Sequence, residues 1–120
     1  KPKHKRIEYF LGSSTSPKIV QAIKSRIKPG EKVMLVLDSD HKRDHVLNEL
    51  RAYAPLVMPG GYAVVEDSNV NGHPVFPGHG PGPMEAIEAY LKENPAFAID
   101  RSREKFLLTF NPRGYLRRSK

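Results

Sequence analysis

A chain of 120 residues, 38% apolar and 28% charged, has material for one hydrophobic core, so residues 1–120 are expected to form a single domain. The absence of cysteine excludes a disulfide framework and thiolate metal centres and fits a reducing cytoplasm, and no apolar run approaches the roughly 20 residues that cross a membrane. The distribution of the net charge of +7 argues against a broad basic face: Lys1, Lys3, Lys5, Arg6, Arg113, Arg117, Arg118 and Lys120 supply eight charges at the ends, expected to be solvated tails, while residues 7–112 hold 12 basic against 13 acidic side chains.

Residues 7–11 are a short mixed apolar run that predicts a strand, ending in the turn cluster Gly12-Ser13-Ser14-Thr15-Ser16-Pro17. Ser16 can cap a helix with Pro17 at its first position, and Ile19, Val20, Ile23 and Ile27 recur at helical spacing until Pro29-Gly30. Residues 33–37, Val-Met-Leu-Val-Leu, read as a strand buried on both faces of a parallel sheet. That run stops at Asp38-Ser39-Asp40-His41. Helical spacing returns over residues 44–53 through Val46, Leu47 and Leu50. After Gly60-Gly61, residues 62–65 form a second buried run, which stops at Glu66-Asp67. Residues 69–82 have neither period and predict a long loop; residues 83–94 predict a helix with Ile87, Tyr90 and Leu91 inward. Residues 97–99 and 106–110 are expected to pair as a closing hairpin across the polar segment 100–104.

Alternating strands and helices predict an α/β fold, a parallel sheet with helices on its faces and an antiparallel C-terminal hairpin. Ligands in such sheets bind beyond the carboxyl ends of the strands, where Asp38, Glu66 and Asp67 lie. Converging carboxylates repel, and a divalent cation offsets the repulsion; oxygen ligands suit Mg²⁺, Mn²⁺ or Ca²⁺. The same acids could instead cap helices, as Asp40 or Asp44 could for the helix beginning near His41. Glu66 and Asp67, being adjacent, share an ion only if the strand kinks or ends there.

The linked motifs Leu37-Asp38-Ser39-Asp40-His41, His45-Val46, Glu49-Leu50, Gly60-Gly61-Tyr62, Val64-Val65-Glu66-Asp67, Asn71-Gly72-His73-Pro74 and Gly80-Pro81-Gly82-Pro83 cover nearly the whole chain. Together with Arg113-Gly114-Tyr115-Leu116-Arg117-Arg118, they resemble the cephalosporin hydroxylase and rhamnosyl O-methyltransferase group. The spacing of the first two acids also resembles catechol O-methyltransferase. The resemblance implies a partial Rossmann-like methyltransferase fold, of which this chain is the C-terminal half. It implies that Asp38, Glu66 and Asp67 bind Mg²⁺ beside S-adenosylmethionine, and Gly12, Ser13 and Ser14 correspond at most to the segment beside the adenine; at the same rim Asp40 or His41 could serve as general base. His73 and His79 in the long loop could contact the substrate, whose reacting group is a hydroxyl of a sugar, glycolipid or small natural product. The family's cofactor-binding glycine turn is not in the sequence, and Gly80-Pro81-Gly82 does not replace it, because proline removes backbone donors. A sheet edge left open by missing strands is expected to make the chain self-associate. Competing readings are a hydroxylase of the same group, a non-catalytic metal- or anion-binding module, and, on charge alone, a nucleic-acid binder.

Overall fold

The computed structural model describes residues 1–119; Lys120, counted above in the basic end, lies outside the described residues. In chain order the elements are α1 (Pro17–Lys24), β1 (Leu35–Leu37), α2 (Arg43–Tyr53), β2 (Tyr62–Val65), α3 (Pro83–Glu93), β3 (Phe97–Ile99) and β4 (Tyr115–Arg118). Short 3₁₀ turns follow α2 at Ala54–Leu56 and β3 at Arg101–Arg103. The result is a mixed α/β unit with a four-stranded sheet in the order β1-β2-β4-β3. Only β1 and β2 run parallel; β4 is antiparallel to both β2 and β3.

The core forms where the apolar periods of α2 and α3 meet the sheet. Leu50, Ile87 and Tyr90 are fully or almost fully buried, as are Ala63 and Val65 of β2 and Leu116 of β4. Burying each large aliphatic side chain contributes roughly 1.5–3 kcal/mol, so this layer holds the unit together. Arg118 fastens the end of β4 by donating from Nη1 to the carbonyls of Pro55 and Val57, at 2.8 and 2.6 Å. Arg113 pairs with Glu88 at 2.9 Å. The basic C-terminal segment is therefore built into the fold through these two arginines and is not a solvated tail.

Several expectations are corrected. Residues 7–11 form no strand: no neighbouring strand offers a ladder, and Ile7, Tyr9 and Leu11 stay exposed while Glu8 pairs with Arg26 of the turn after α1. Helix α1 begins as its cap predicts, with Ser16 accepting from the Ile19 N–H, but ends at Lys24, and none of its residues is fully buried. Strand β1 lies at the sheet edge and is not covered on both faces: Val36 is 50% exposed, and Met34, just before the strand, 67%. Residues 106–110 are not the second arm of the hairpin. Phe106 and Leu107 have φ of 67° and 64°, a left-handed turn that no strand contains, and both are almost fully exposed. The arm is β4 instead, whose central Leu116 sits between Ala63 and Ile99 and is completely buried.

Candidate functional site

The parallel register of β1 and β2 sets Leu37 beside Val65, so the residues that follow each strand emerge side by side. The Glu66 N–H donates to the Leu37 carbonyl at 2.9 Å, which is the last tie between the two strands. At Asp67 the chain turns into the left-handed region, φ 51°, and its N–H donates to Asn111 Oδ1 at 2.9 Å. Strand alternation therefore ends before Asp67, and its carboxylate swings toward the tip of β1. His41 Nε2 lies 3.4 Å from Asp38 Oδ1 and 3.3 Å from Asp67 Oδ2. One ligand atom from each of Asp38, His41 and Asp67 lies within 4.8 Å of the other two. The imidazole stands between two carboxylates that would otherwise repel each other, and all three side chains keep access to solvent.

Of the residues singled out from the sequence, Asp38, His41 and Asp67 are brought together, and Glu66 is not in their group. Asp40 serves a turn, accepting from the Lys42 N–H at 3.1 Å ahead of α2. Gly12 and Ser13 stay exposed in the turn before α1, where Ser13 Oγ bonds Thr15 Oγ1 at 3.0 Å. Ser14 points inward to Glu49 of α2. Of the loop histidines, His79 Nδ1 donates to the Gly80 carbonyl at 3.0 Å, and His73 turns to Glu85.

Glu85, in the first turn of α3, holds the long loop to that helix. It accepts from the Gly82 N–H at 2.6 Å, His73 Nε2 at 2.8 Å and Asn71 Nδ2 at 2.9 Å. Partial burial by itself would raise the Glu85 pKa, but these donors outweigh it and hold the carboxyl at about 2. The loop in turn lies against the start of α2: the Arg43 N–H donates to the Pro81 carbonyl at 3.1 Å, and a side chain at Gly82 would meet the His41 carbonyl at 3.1 Å. On the other flank an apolar hollow of about 210 Å³ is lined by Asn69, Pro74, Val75, Leu108, Thr109 and Phe110.

Three positions to which the sequence reading gave no role in the site support this rim: Glu49, Glu85 and Asn111. Glu49 carried a signal, since it is an acid on the face of α2 that Val46, Leu50 and Tyr53 assign to the core. Glu85 also carried one, three residues after the helix-capping Gly82. Asn111 carried none, because its partner Asp67 is 44 residues away.

The model of the family described as rhamnosyl O-methyltransferase/CmcI matches residues 1–119. A protein named rhamnosyl O-methyltransferase from Mycobacterium tuberculosis (strain ATCC 25618 / H37Rv) is 53% identical over 116 residues, covering 92% of this chain and 46% of the relative. One of the same name from Mycobacterium leprae (strain TN) is 50% identical over 115 residues, covering 92% and 49%. The chain thus spans about half the length of the curated relatives it matches. No solved structure matches it significantly. Among the described residues, no helix is long and apolar enough to cross a membrane.

Proposed function

We propose, because the chain belongs to the rhamnosyl O-methyltransferase/CmcI family, that it supplies the cation-holding rim of an enzyme that methylates a sugar hydroxyl with S-adenosylmethionine. The observation that carries this reading is the convergence of Asp38 and Asp67, from the tips of two parallel strands, around one imidazole nitrogen. Two carboxylates, open to solvent on one side so that water and a substrate oxygen can complete the set, form an oxygen donor set that fits a hard divalent ion such as Mg²⁺ or Mn²⁺. Asp38 and Asp67 are its first ligands; Glu66, next along the rim, is the third acid of the reading. A bound cation would lower the pKa of a substrate hydroxyl, and the sulfonium of S-adenosylmethionine would supply the methyl group.

The chain's own residues orient and deprotonate. His41 lies beside both acids, and a cation that takes up their charge would leave its Nε2 to accept the hydroxyl proton, while Asp40 faces the turn before α2, where it accepts from the Lys42 N–H. The apolar hollow formed with residues 108–110 suits an apolar group carried by the sugar. Gly12, Ser13 and Ser14 would border the adenine side. The sheet, with a parallel pair at one edge and two antiparallel strands at the other, is read as the C-terminal part of a Rossmann-like methyltransferase sheet. Its open β1 edge supports self-association.

Calorimetry with Mg²⁺ and Mn²⁺ tests the site. Asp38→Asn and Asp67→Asn are each expected to weaken binding by at least about tenfold, since each removes a charged ligand of a small set. Affinity unchanged in both variants would remove the site. In the longer protein, transfer of a labelled methyl group from S-adenosylmethionine to a rhamnosyl glycoside should fall with the same two substitutions.

A further inference from the structure

The most deeply buried acid in the protein is outside the metal-binding group. Glu49 is 2% exposed on the core face of α2, between Val46 and Tyr53. Its Oε1 accepts from Ser14 Oγ and, at 2.8 Å, from Ser39 Oγ. His45, one turn earlier, brings Nε2 to 3.4 Å from Glu49 Oε1 and 3.2 Å from Ser14 Oγ. Tyr53 completes the cluster by donating its hydroxyl to the Ser14 carbonyl. Among the described residues Glu49 Oε2 has no hydrogen-bond partner. A cavity of about 230 Å³, lined by Ser14, Leu35, Leu37, Glu49 and Tyr53 among others, adjoins the cluster.

A carboxylate this deep is expensive to desolvate, and an apolar side chain at position 49 would suit the surrounding core better. What the acid provides is a junction. One oxygen ties α2 to two other segments: the turn before α1, 35 positions away, through Ser14, and the tip of β1 through Ser39. Ser39 sits directly between Asp38 and Asp40, so fixing it fixes the backbone from which the Asp38 carboxylate projects.

We infer that Glu49 is a positioning residue of the functional site: through Ser39 it sets Asp38 on the cation-binding rim, and through Ser14 it locks the Gly12–Ser14 turn to that same rim. The Asp38 part rests on the metal-binding reading above. The tie between the two segments does not.

The test compares Glu49→Gln, Glu49→Leu and Ser39→Ala with the unaltered chain by hydrogen exchange and by Mg²⁺ calorimetry. Glu49→Gln keeps an acceptor oxygen and is expected to hold Mg²⁺ within about threefold of the parent, whereas Glu49→Leu and Ser39→Ala lose about tenfold or more, as removal of partners behind metal ligands does. Amide protection should fall over residues 38–41 in both of these variants and over 12–16 in Glu49→Leu, while α3 remains as protected as before. That split separates positioning from general loss of stability. If Glu49→Leu does not fold, Ser39→Ala, which alters an exposed residue, decides alone. Unchanged protection at 38–41 together with unchanged Mg²⁺ affinity would overturn the proposal. If the unaltered chain binds no Mg²⁺, the metal reading fails, and the exchange measurements still decide whether Glu49 joins the two segments.

Discussion

At Gly114 the chain passes so close to β2 that a β-carbon would collide with the Val65 carbonyl oxygen and lie 3.1 Å from both Asn111 Cβ and the Asn111 carbonyl oxygen. This approach lets the Val65 N–H donate to the Gly114 carbonyl at 2.8 Å and brings Asn111 within reach of the Asp67 amide. Gly114→Ala is therefore expected to cost roughly 1–3 kcal/mol in urea denaturation, in the range of overpacked sites. Gly78→Ala, where nothing lies within 4 Å and φ is not in the left-handed region, should be close to neutral. Equal effects would mean that the close approach does not constrain the fold. The same geometry ranks the acids: Asp67→Asn is expected to weaken cation binding more than Glu66→Gln, because only Asp67 joins Asp38 and His41. Both acids were legible from the sequence as strand-end residues. Their unequal placement was not, because it depends on one left-handed residue held by Asn111.

At the level of elements, helix α3 carries the long loop, and Glu85 is the joint. Its folded pKa, about 2, lies below the ordinary value of 4.5, so the carboxylate stabilises the native state fully above about pH 4.5 and loses that contribution as pH falls toward 2. With a quarter of the side chain exposed, the effect is set at about 2–3 kcal/mol after allowance for solvent screening. Stability measured by urea denaturation between pH 6 and pH 2.5 should fall less steeply in Glu85→Gln than in the parent. Identical pH profiles would show that the three donors do not discriminate between charged and neutral forms. Helices α2 and α3 were readable almost to the residue, expected over 44–53 and 83–94 and found at Arg43–Tyr53 and Pro83–Glu93. Apolar period, proline and the following polar residues are all local signals. Strands were less so, since a strand exists only where a partner lies beside it; the apolar segments 7–11 and 106–110 have the composition without the partner.

At the scale of the whole molecule, the sheet ends at β1, and two large apolar side chains, Met34 and Val36, are exposed there. An edge strand of this kind, with no charge on its own three residues, is a template for pairing with another chain. Sedimentation is expected to show association that grows with concentration and weakens in Val36→Lys. A monomer that persists at high concentration would count against the β1 edge as a pairing surface. Opposite that edge, the β4–β3 pair is closed by Arg118, whose guanidinium also lies 5.9 Å from the centre of the Phe97 ring.

Sequence alone determined the alternation of strands and helices, the apolar faces of α2 and α3, and the placing of acids at the ends of two apolar runs, because burial periods and turn residues act over a few positions. The tertiary structure decided which C-terminal segment completes the sheet, that Asp67 meets Asp38 while Glu66 stays outside their group, and that the buried carboxylate of Glu49 meets Ser14. These depend on separations between residues tens of positions apart, and no local pattern encodes such a distance.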